Sequence, residues 1–270
     1  MQLSEAGLNG PMEPIRILQL SDTHLGQNPG YELLGMDTDH SLGQVLRLAE
    51  TLSEPDIFLF SGDISNNAYA EAYERLYAMM NGRSNVVWLP GNHDSIEAMT
   101  AVCGGRWYRP RIELGDWQLV SLDSSVAHTP RGTLAQTELD FLRQQLDQHP
   151  DKYTLVALHH HVLPVGCEWL DEQLLSNQSE FLELVSAYSQ VKAVTCGHVH
   201  QARDVEYQGT RFLSTPSTCI QFAQHSADFL VSSEAPGLRW LELHPDGRID
   251  TGIHRVADVR FNVDLAAKGY

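Results

Sequence analysis

Cysteine is scarce, with four in 270 residues (Cys103, Cys167, Cys196 and Cys219) and no Cys-x-x-Cys spacing. That pattern argues against a disulfide framework or a thiolate metal knuckle, and the four read as buried free thiols in a reducing compartment. Positive charge is also short. Eighteen Lys and Arg face 35 Asp and Glu, a formal net charge of -17. A nucleic-acid polymer, which requires a basic face, is therefore not an expected partner. A small anionic substrate stays open, because bound cations reverse the local sign. No apolar run approaches the ~18 residues of a membrane span. The N-terminus lacks the charged-then-apolar pattern of a secretory leader. The expectation is a soluble, cytoplasmic protein without a membrane partner. Residues 1–13, which include Gly7, Gly10 and Pro11, read as a flexible lead-in, and 14–270 as one domain.

What is present is a series of short apolar runs, each ending abruptly in polar residues. Val86-Val-Trp-Leu89 stops at Pro90-Gly91, and Asn92, His93 and Asp94 follow at once. Runs of this length, rich in β-favouring residues and bounded by turn residues, predict buried strands. Ile15–Leu20 leads in the same way into Ser21-Asp22-Thr23-His24, and Ile57–Phe60 into Ser61-Gly62-Asp63. Trp117–Leu122 runs into Asp123-Ser124-Ser125, Thr154–Leu158 into His159-His160-His161, and Val191–Cys196 into Gly197-His198-Val199-His200.

Helices are expected between these strands. Ser41 is a candidate cap for Leu42, Val45, Leu46, Ala49 and Leu52 at helical spacing, and Asn66 or Asn67 for the stripe Tyr69, Tyr73, Leu76, Tyr77 and Met80. That aromatic stripe reads as core. Residues 96–103 predict a short helix, and Thr133 with Gln136 fits a capping box for Leu139, Leu142 and Leu146. Asn177 is placed to cap the helix of Phe181, Leu184, Val185 and Tyr188. Gly26–Gly35 reads as loop. Strands at 210–214, 228–232, 237–243 and 249–255, with turns at Glu234–Gly237 and His244–Gly247, predict an antiparallel C-terminal third.

The strand ends therefore deliver Asp22, His24, Asp63, Asn92, His93, His159, His198 and His200, at the terminus where parallel sheets place their ligands. Mixed carboxylate, amide and imidazole donors suit borderline divalent ions: Fe²⁺ or Mn²⁺ first, with Zn²⁺ as an alternative. So many donors exceed what one catalytic ion needs. They suit two ions ~4 Å apart that share a carboxylate and a hydroxide, a pair built for in-line attack on a phosphoester.

Asp22-x-His24, Gly62-Asp63, Gly91-Asn-His-Asp94, His159 and Gly197-His-x-His200 together resemble the calcineurin-like metallophosphoesterase signature. Beyond it, Leu33-Leu-Gly35, His159-His-His-x-Leu-Pro164, Gly166-Cys-x-Trp-Leu-Asp171, Thr215-Pro-Ser-Thr-Cys219 with Gln221-Phe222, and Ile253-His-Arg-x-Ala-Asp258 resemble the bacterial class III 3′,5′-cyclic-AMP phosphodiesterases. The resemblance implies two mixed β-sheets stacked as a sandwich, flanked by helices, with a dinuclear metal site at the strand ends. It implies hydrolysis of cyclic AMP to 5′-AMP by a metal-bridging hydroxide. It puts Asp22, His24 and His200 on one ion and Asn92, His159 and His198 on the other, with Asp63 bridging. His24, Asp63, Asn92, His93 and His200 would surround the substrate, with Asp63 and His93 catalytic. In related phosphatases an Asp three residues past the bridging Asp pairs with the histidine equivalent to His93. Asn66 stands there, which leaves the general-acid role of His93 open.

Strand alternation turns His160 away from the ligand His159 and leaves His161 a weak competitor. Asp94 reads as fixing its turn. His40, His149, His225, His244 and His254 read as surface or structural. So does His128, with a position over the pocket as the alternative. Another phosphodiesterase or a phosphomonoesterase would share every ligand. A non-catalytic interaction module of the same fold should have lost some.

Overall fold

The computed structural model describes residues 13–269. The expected flexible lead-in lies outside the described residues except for Glu13. Two mixed sheets carry the fold. The first has the order Ile249–Arg255, Gly237–Leu243, Ile15–Leu20, Ile57–Ser61, Val86–Leu89. Its last three strands are parallel, and the C-terminal hairpin adds antiparallel to Ile15–Leu20. The second has the order Arg203–Tyr207, Thr210–Ser214, Val191–Cys196, Tyr153–Ala157, Trp117–Ser121, Arg111–Leu114, parallel in the middle and antiparallel at both edges.

Both faces of the parallel strands are buried, which is why they read as unbroken apolar runs. Successive side chains alternate between two cores. Ile17, Leu59, Val87 and Leu89 meet Trp117, Leu119, Leu155 and Leu213 between the sheets. Leu18, Phe60, Val86 and Trp88 face outward onto the helices Thr38–Glu50, Ala70–Met79 and Ile96–Cys103. On the far side, Val120, Val156 and Val194 pack under Gln136–Gln148 and Gln178–Ser186. The sandwich flanked by helices is as expected.

Helix starts differ from expectation, because their polar residues are committed elsewhere. Asp37 caps Thr38–Glu50 by accepting from His40 N, while Ser41 is buried inside that helix and donates to Thr218 O at 2.5 Å. Asn66 and Asn67 cap nothing: Ala70–Met79 begins after Tyr69 without a side-chain cap. Thr133 and Gln136 form no capping box; Thr133 pairs with Ser176 and Gln136 donates to Asp140. Asn177 holds the cap position of its helix, yet its amide makes a two-bond clasp on Leu134.

The structure also adds a two-stranded hairpin, Glu32–Leu33 with Met36–Asp37, which starts inside the expected loop and ends just past it. It adds the edge strands Arg111–Leu114 and Arg203–Tyr207. The His244–Gly247 turn closes a hairpin, but Glu234–Gly237 does not, because Val231–Ser232 pairs with Gln221–Phe222 instead. Nor is the C-terminal third wholly antiparallel, since Thr210–Ser214 lies parallel to Val191–Cys196. No helix among the described residues is long and apolar enough to cross a membrane.

One buried polar residue stitches the sheets together. Gln19, on the inner face of the first sheet, donates to Ser61 Oγ at 2.9 Å and to Cys196 O at 3.1 Å, and accepts from Thr195 Oγ1 at 2.6 Å. Gln19→Ala leaves three buried partners without this amide. The expected loss is about 3 kcal/mol of folding stability, since each unsatisfied buried group costs on the order of 1–3 kcal/mol. Urea unfolding measures it. A loss below about 1 kcal/mol would mean that water replaces the amide.

Candidate metal centre

The parallel strands of both sheets end on the same side, and their first loop residues converge there. Asp22 N donates to Gly62 O and His24 N to Asp63 O, both at 2.9 Å, so the two loops lie alongside one another. The backbone is contorted to achieve this. Asp22, His24, Asp63, His198 and His200 all take positive φ, between 46° and 66°. Non-glycine residues reach that region at a cost of about 1–2 kcal/mol each. Five such residues in one cluster mark a place where side-chain position outweighs local strain.

The glycines of the motifs have a separate reason. A Cβ on Gly91 would overlap Asp63, one on Gly197 would overlap Ser21 and Asp22, and one on Gly62 would strike the His159 ring. Their absent side chains let the loops close to ligand distance.

The side chains then meet in two linked groups. Asp22, His24 and His200 form one, with His24 Nε2 at 3.3 Å from His200 Nε2 and His200 Nε2 at 3.3 Å from Asp22 Oδ1. Asp63 lies between this group and His159. Its Oδ1 accepts from His93 N at 2.9 Å, while Oδ2 stands 3.2 Å from His159 Nε2 and 3.9 Å from His24 Nε2. His159 and His198 complete the second group, their rings 5.1 Å apart.

Tautomers are set from outside. His200 Nδ1 donates to Ile220 O and His159 Nδ1 to Ser61 O, both at 2.8 Å, and His24 Nδ1 lies 3.1 Å from Asn66 Oδ1. Each bond turns the Nε2 lone pair inward, the usual arrangement around a metal-binding imidazole.

The donor set fits a pair of divalent cations. Among the described residues, His198 Nε2 and Asn92 Oδ1 are buried atoms without hydrogen-bond partners, which is costly unless something electropositive sits beside them. His24 and His200 aim two lone pairs at one point. Burial drives the His24 imidazole down to about 3, so it stays neutral and ready to coordinate. His159 moves the other way: burial lowers it, but the Asp63 and Asp22 charges overcome that and raise it to about 9. Burial would raise the Asp63 carboxyl, yet the surrounding histidines, His159 foremost, hold it well below the usual range. An ionised carboxylate that draws positive charge into a dry cluster is the electrostatic signature of a cation site.

His93 stands beside this cluster. Its Nδ1 donates to Asn66 O at 2.8 Å, and a ring nitrogen lies within 4.8 Å of donor atoms on His24 and Asp63. Asn66 therefore serves both histidines, with its carbonyl on His93 and its side chain on His24. Asp94 ties the turn as expected, accepting from Ile64 N, Ser65 N, Gly91 N and Tyr73 Oη. Tyr73 also accepts from Ser95 N, so one member of the aromatic stripe has a polar duty besides core packing.

His160 does not point away from the cluster. Its ring lies 4.7 Å from that of His198, because the chain leaves extended geometry after Ala157 and alternation no longer applies. Both its nitrogens are engaged, Nδ1 with Ser124 Oγ at 2.8 Å and Nε2 with Pro130 O at 3.1 Å. His161 stacks on His198 and stands 3.7 Å from Asp171 Oδ1. His128 does line the cleft that opens beside Asn92, His93 and His198. Of the other histidines, His244 pairs with Asp250 at 2.9 Å and His40 with Gln44 at 3.4 Å, both away from the cluster.

The calcineurin-like phosphoesterase family model matches residues 15–202, and the chain belongs to that family. The family's fold implies a dinuclear divalent-metal site, and the histidines and aspartates above are its candidate ligands. Among characterised relatives, the 3′,5′-cyclic adenosine monophosphate phosphodiesterase CpdA of Escherichia coli K12 is 40% identical over 261 residues, 95% of either chain. The Pseudomonas aeruginosa protein of the same name is 40% identical over 259 residues, again 95% of each. A dimetal phosphatase from Danio rerio has the same fold, with a TM-score of 0.61 at 13% identity, covering 91% of this chain and all of the other.

Proposed function

We propose that this protein is a dinuclear-metal phosphodiesterase that hydrolyses 3′,5′-cyclic AMP to 5′-AMP in the cytoplasm, as a single catalytic domain over 14–270. The observation that supports the reaction class is the meeting of Asp22, His24, Asp63, His159, His198 and His200 in linked groups of close donor atoms, with His198 Nε2 and Asn92 Oδ1 buried without partners among the described residues. The substrate rests on near-full-length similarity to two cyclic-AMP phosphodiesterases. All four cysteines are free and buried, which suits a reducing compartment.

Asp22, His24 and His200 would hold one ion and Asn92, His159 and His198 the other, with Asp63 between them. Iron or manganese is the first choice for such donors and zinc the second. When bound, the pair supplies a water-derived nucleophile at neutral pH and neutralises the charge gathering on the phosphate. The protein does the rest. Asp63 is kept ionised by its histidines, and His24, Asn92 and His200 shape the space that receives the phosphate. His93, held by the Asn66 carbonyl, gives its proton to the departing ester oxygen.

In-line displacement requires the leaving oxygen to lie opposite the nucleophile. With His93 on the 3′ side, the P–O3′ bond breaks and 5′-AMP forms. Hydrolysis in ¹⁸O-water should place one label on the phosphate of 5′-AMP and none on the ribose. The assay should run metal-reconstituted protein against cyclic AMP, cyclic GMP, a 2′,3′-cyclic nucleotide, a glycerophosphodiester and a phosphomonoester. Formation of 3′-AMP, or cleavage of linear diesters alone, would leave a phosphodiesterase of different substrate.

A further inference from the structure

Next to the metal centre runs an aromatic wall that the phosphate chemistry does not use. It begins at a candidate ligand: the Phe222 ring stacks on His200, with centroids 4.2 Å apart and planes 13° from parallel. Trp169 packs edge-on against Phe222 at 4.9 Å and against Phe229 at 5.1 Å. Phe222 is 2% exposed and belongs to the core, whereas Trp169 and Phe229 are only half-buried. All three line the cleft of about 380 Å³ that also contains His93 and His198. That volume lies within the range of small-ligand sites.

The wall is rigid without being held by its own polar groups. Among the described residues the buried Trp169 indole N–H has no acceptor, and ring packing holds the indole. The backbone beneath it is anchored, with Glu168 N donating to Ser226 O and Trp169 N to Ala227 O, both at 3.2 Å. These bonds dock the short helix Glu168–Asp171 onto the loop that carries Phe229. One turn further along, Gln173 lines the same cleft.

We propose that Trp169 and Phe229 form the stacking platform for the purine base of the substrate, with the Gln173 amide meeting the base edge. The assignment rests on the phosphodiesterase reading for the position of the phosphate and extends it to the other end of the molecule. A flat, neutral, polar-edged group tethered to a phosphate matches this wall: the rings supply stacking and the amide a donor and an acceptor. Phe222 links the two ends, so a base on the platform places its phosphate toward His200 and His93.

Binding to metal-reconstituted protein tests this without turnover. Calorimetry compares 5′-AMP with ribose 5-phosphate, which carries the same phosphate and sugar and no base. Stacking on one aromatic side chain is worth roughly tenfold in affinity. The native protein should therefore bind 5′-AMP at least ~10-fold more tightly than ribose 5-phosphate. Trp169→Leu should bring the two dissociation constants within about threefold by weakening 5′-AMP alone. Trp169→Phe should retain most of the preference. In turnover, Trp169→Leu should raise KM for cyclic AMP with kcat nearly unchanged, the mark of lost uniform binding. Equal affinity of the native protein for both ligands, or equal weakening of both by Trp169→Leu, overturns the base platform. Failure to hydrolyse cyclic AMP would instead count against the substrate reading, and the affinity ratio would still decide the platform.

Discussion

Asp63→Ala should abolish turnover, with a loss of more than ~10³-fold, beyond the 10²–10³ typical of one lost electrostatic donor. It should also reduce bound metal at both positions. The reason is the location of one carboxylate oxygen. Oδ1 is occupied by His93 N, and Oδ2 stands between His159 Nε2 at 3.2 Å and His24 Nε2 at 3.9 Å. Those histidines belong to different halves of the centre, so one side chain serves both. Without it, Asp22, 3.3 Å from His200 Nε2 and 4.0 Å from His159 Nε2, is left to face the buried imidazoles. His198→Ala removes a donor from one half and should chiefly weaken a single ion. Elemental analysis after exhaustive dialysis separates the two cases. Two full equivalents retained by the Asp63 variant would take Asp63 off the bridge.

His93→Ala should keep both ions and lower the cyclic-AMP rate by roughly 10²–10⁴, the usual worth of a positioned proton donor. The Asn66 carbonyl, 2.8 Å from Nδ1, fixes the ring where it lines the cleft. A nitrophenolate leaving group needs no proton. A nitrophenyl phosphodiester should therefore lose far less than cyclic AMP in the same variant. Equal losses on the two substrates would reassign His93 to holding the phosphate. Asn66 belongs in the same experiment, because its side chain bonds His24 Nδ1 at 3.1 Å. Asn66→Ala should disturb the metal-binding half while the carbonyl on His93 remains.

Asp22, His24, Asp63, His159, His198 and His200 arrive in linked groups because each follows a buried strand in the chain. Apolar runs with both faces covered end where the backbone must turn, and the residue after the turn is placed by the strand. His160 shows where such reasoning stops. Alternation holds along extended chain, and the strand Tyr153–Ala157 ends before the three histidines begin. Its engaged nitrogens, bonded to Ser124 and Pro130, depend on contacts 36 and 30 residues away.

Local sequence therefore determined the strand series and the donor types, because burial periodicity and side-chain type are properties of short segments; the family and its sandwich came from the resemblance of the motifs. Tertiary structure decided what each polar group does once several partners compete for it. Ser41 looked like a cap, but the Thr218 carbonyl takes its hydroxyl across 177 residues and Asp37 caps the helix instead. Gln19, an isolated polar residue in an apolar run, becomes the clasp between sheets only when Thr195 and Cys196 fold against it. Trp169 and Phe222 stand in separate sequence motifs and Phe229 in none, and the three become one wall only when a short helix docks on a distant hairpin loop. Hydrogen bonds and ring contacts act over a few ångströms in space, and separation along the chain gives no measure of that distance.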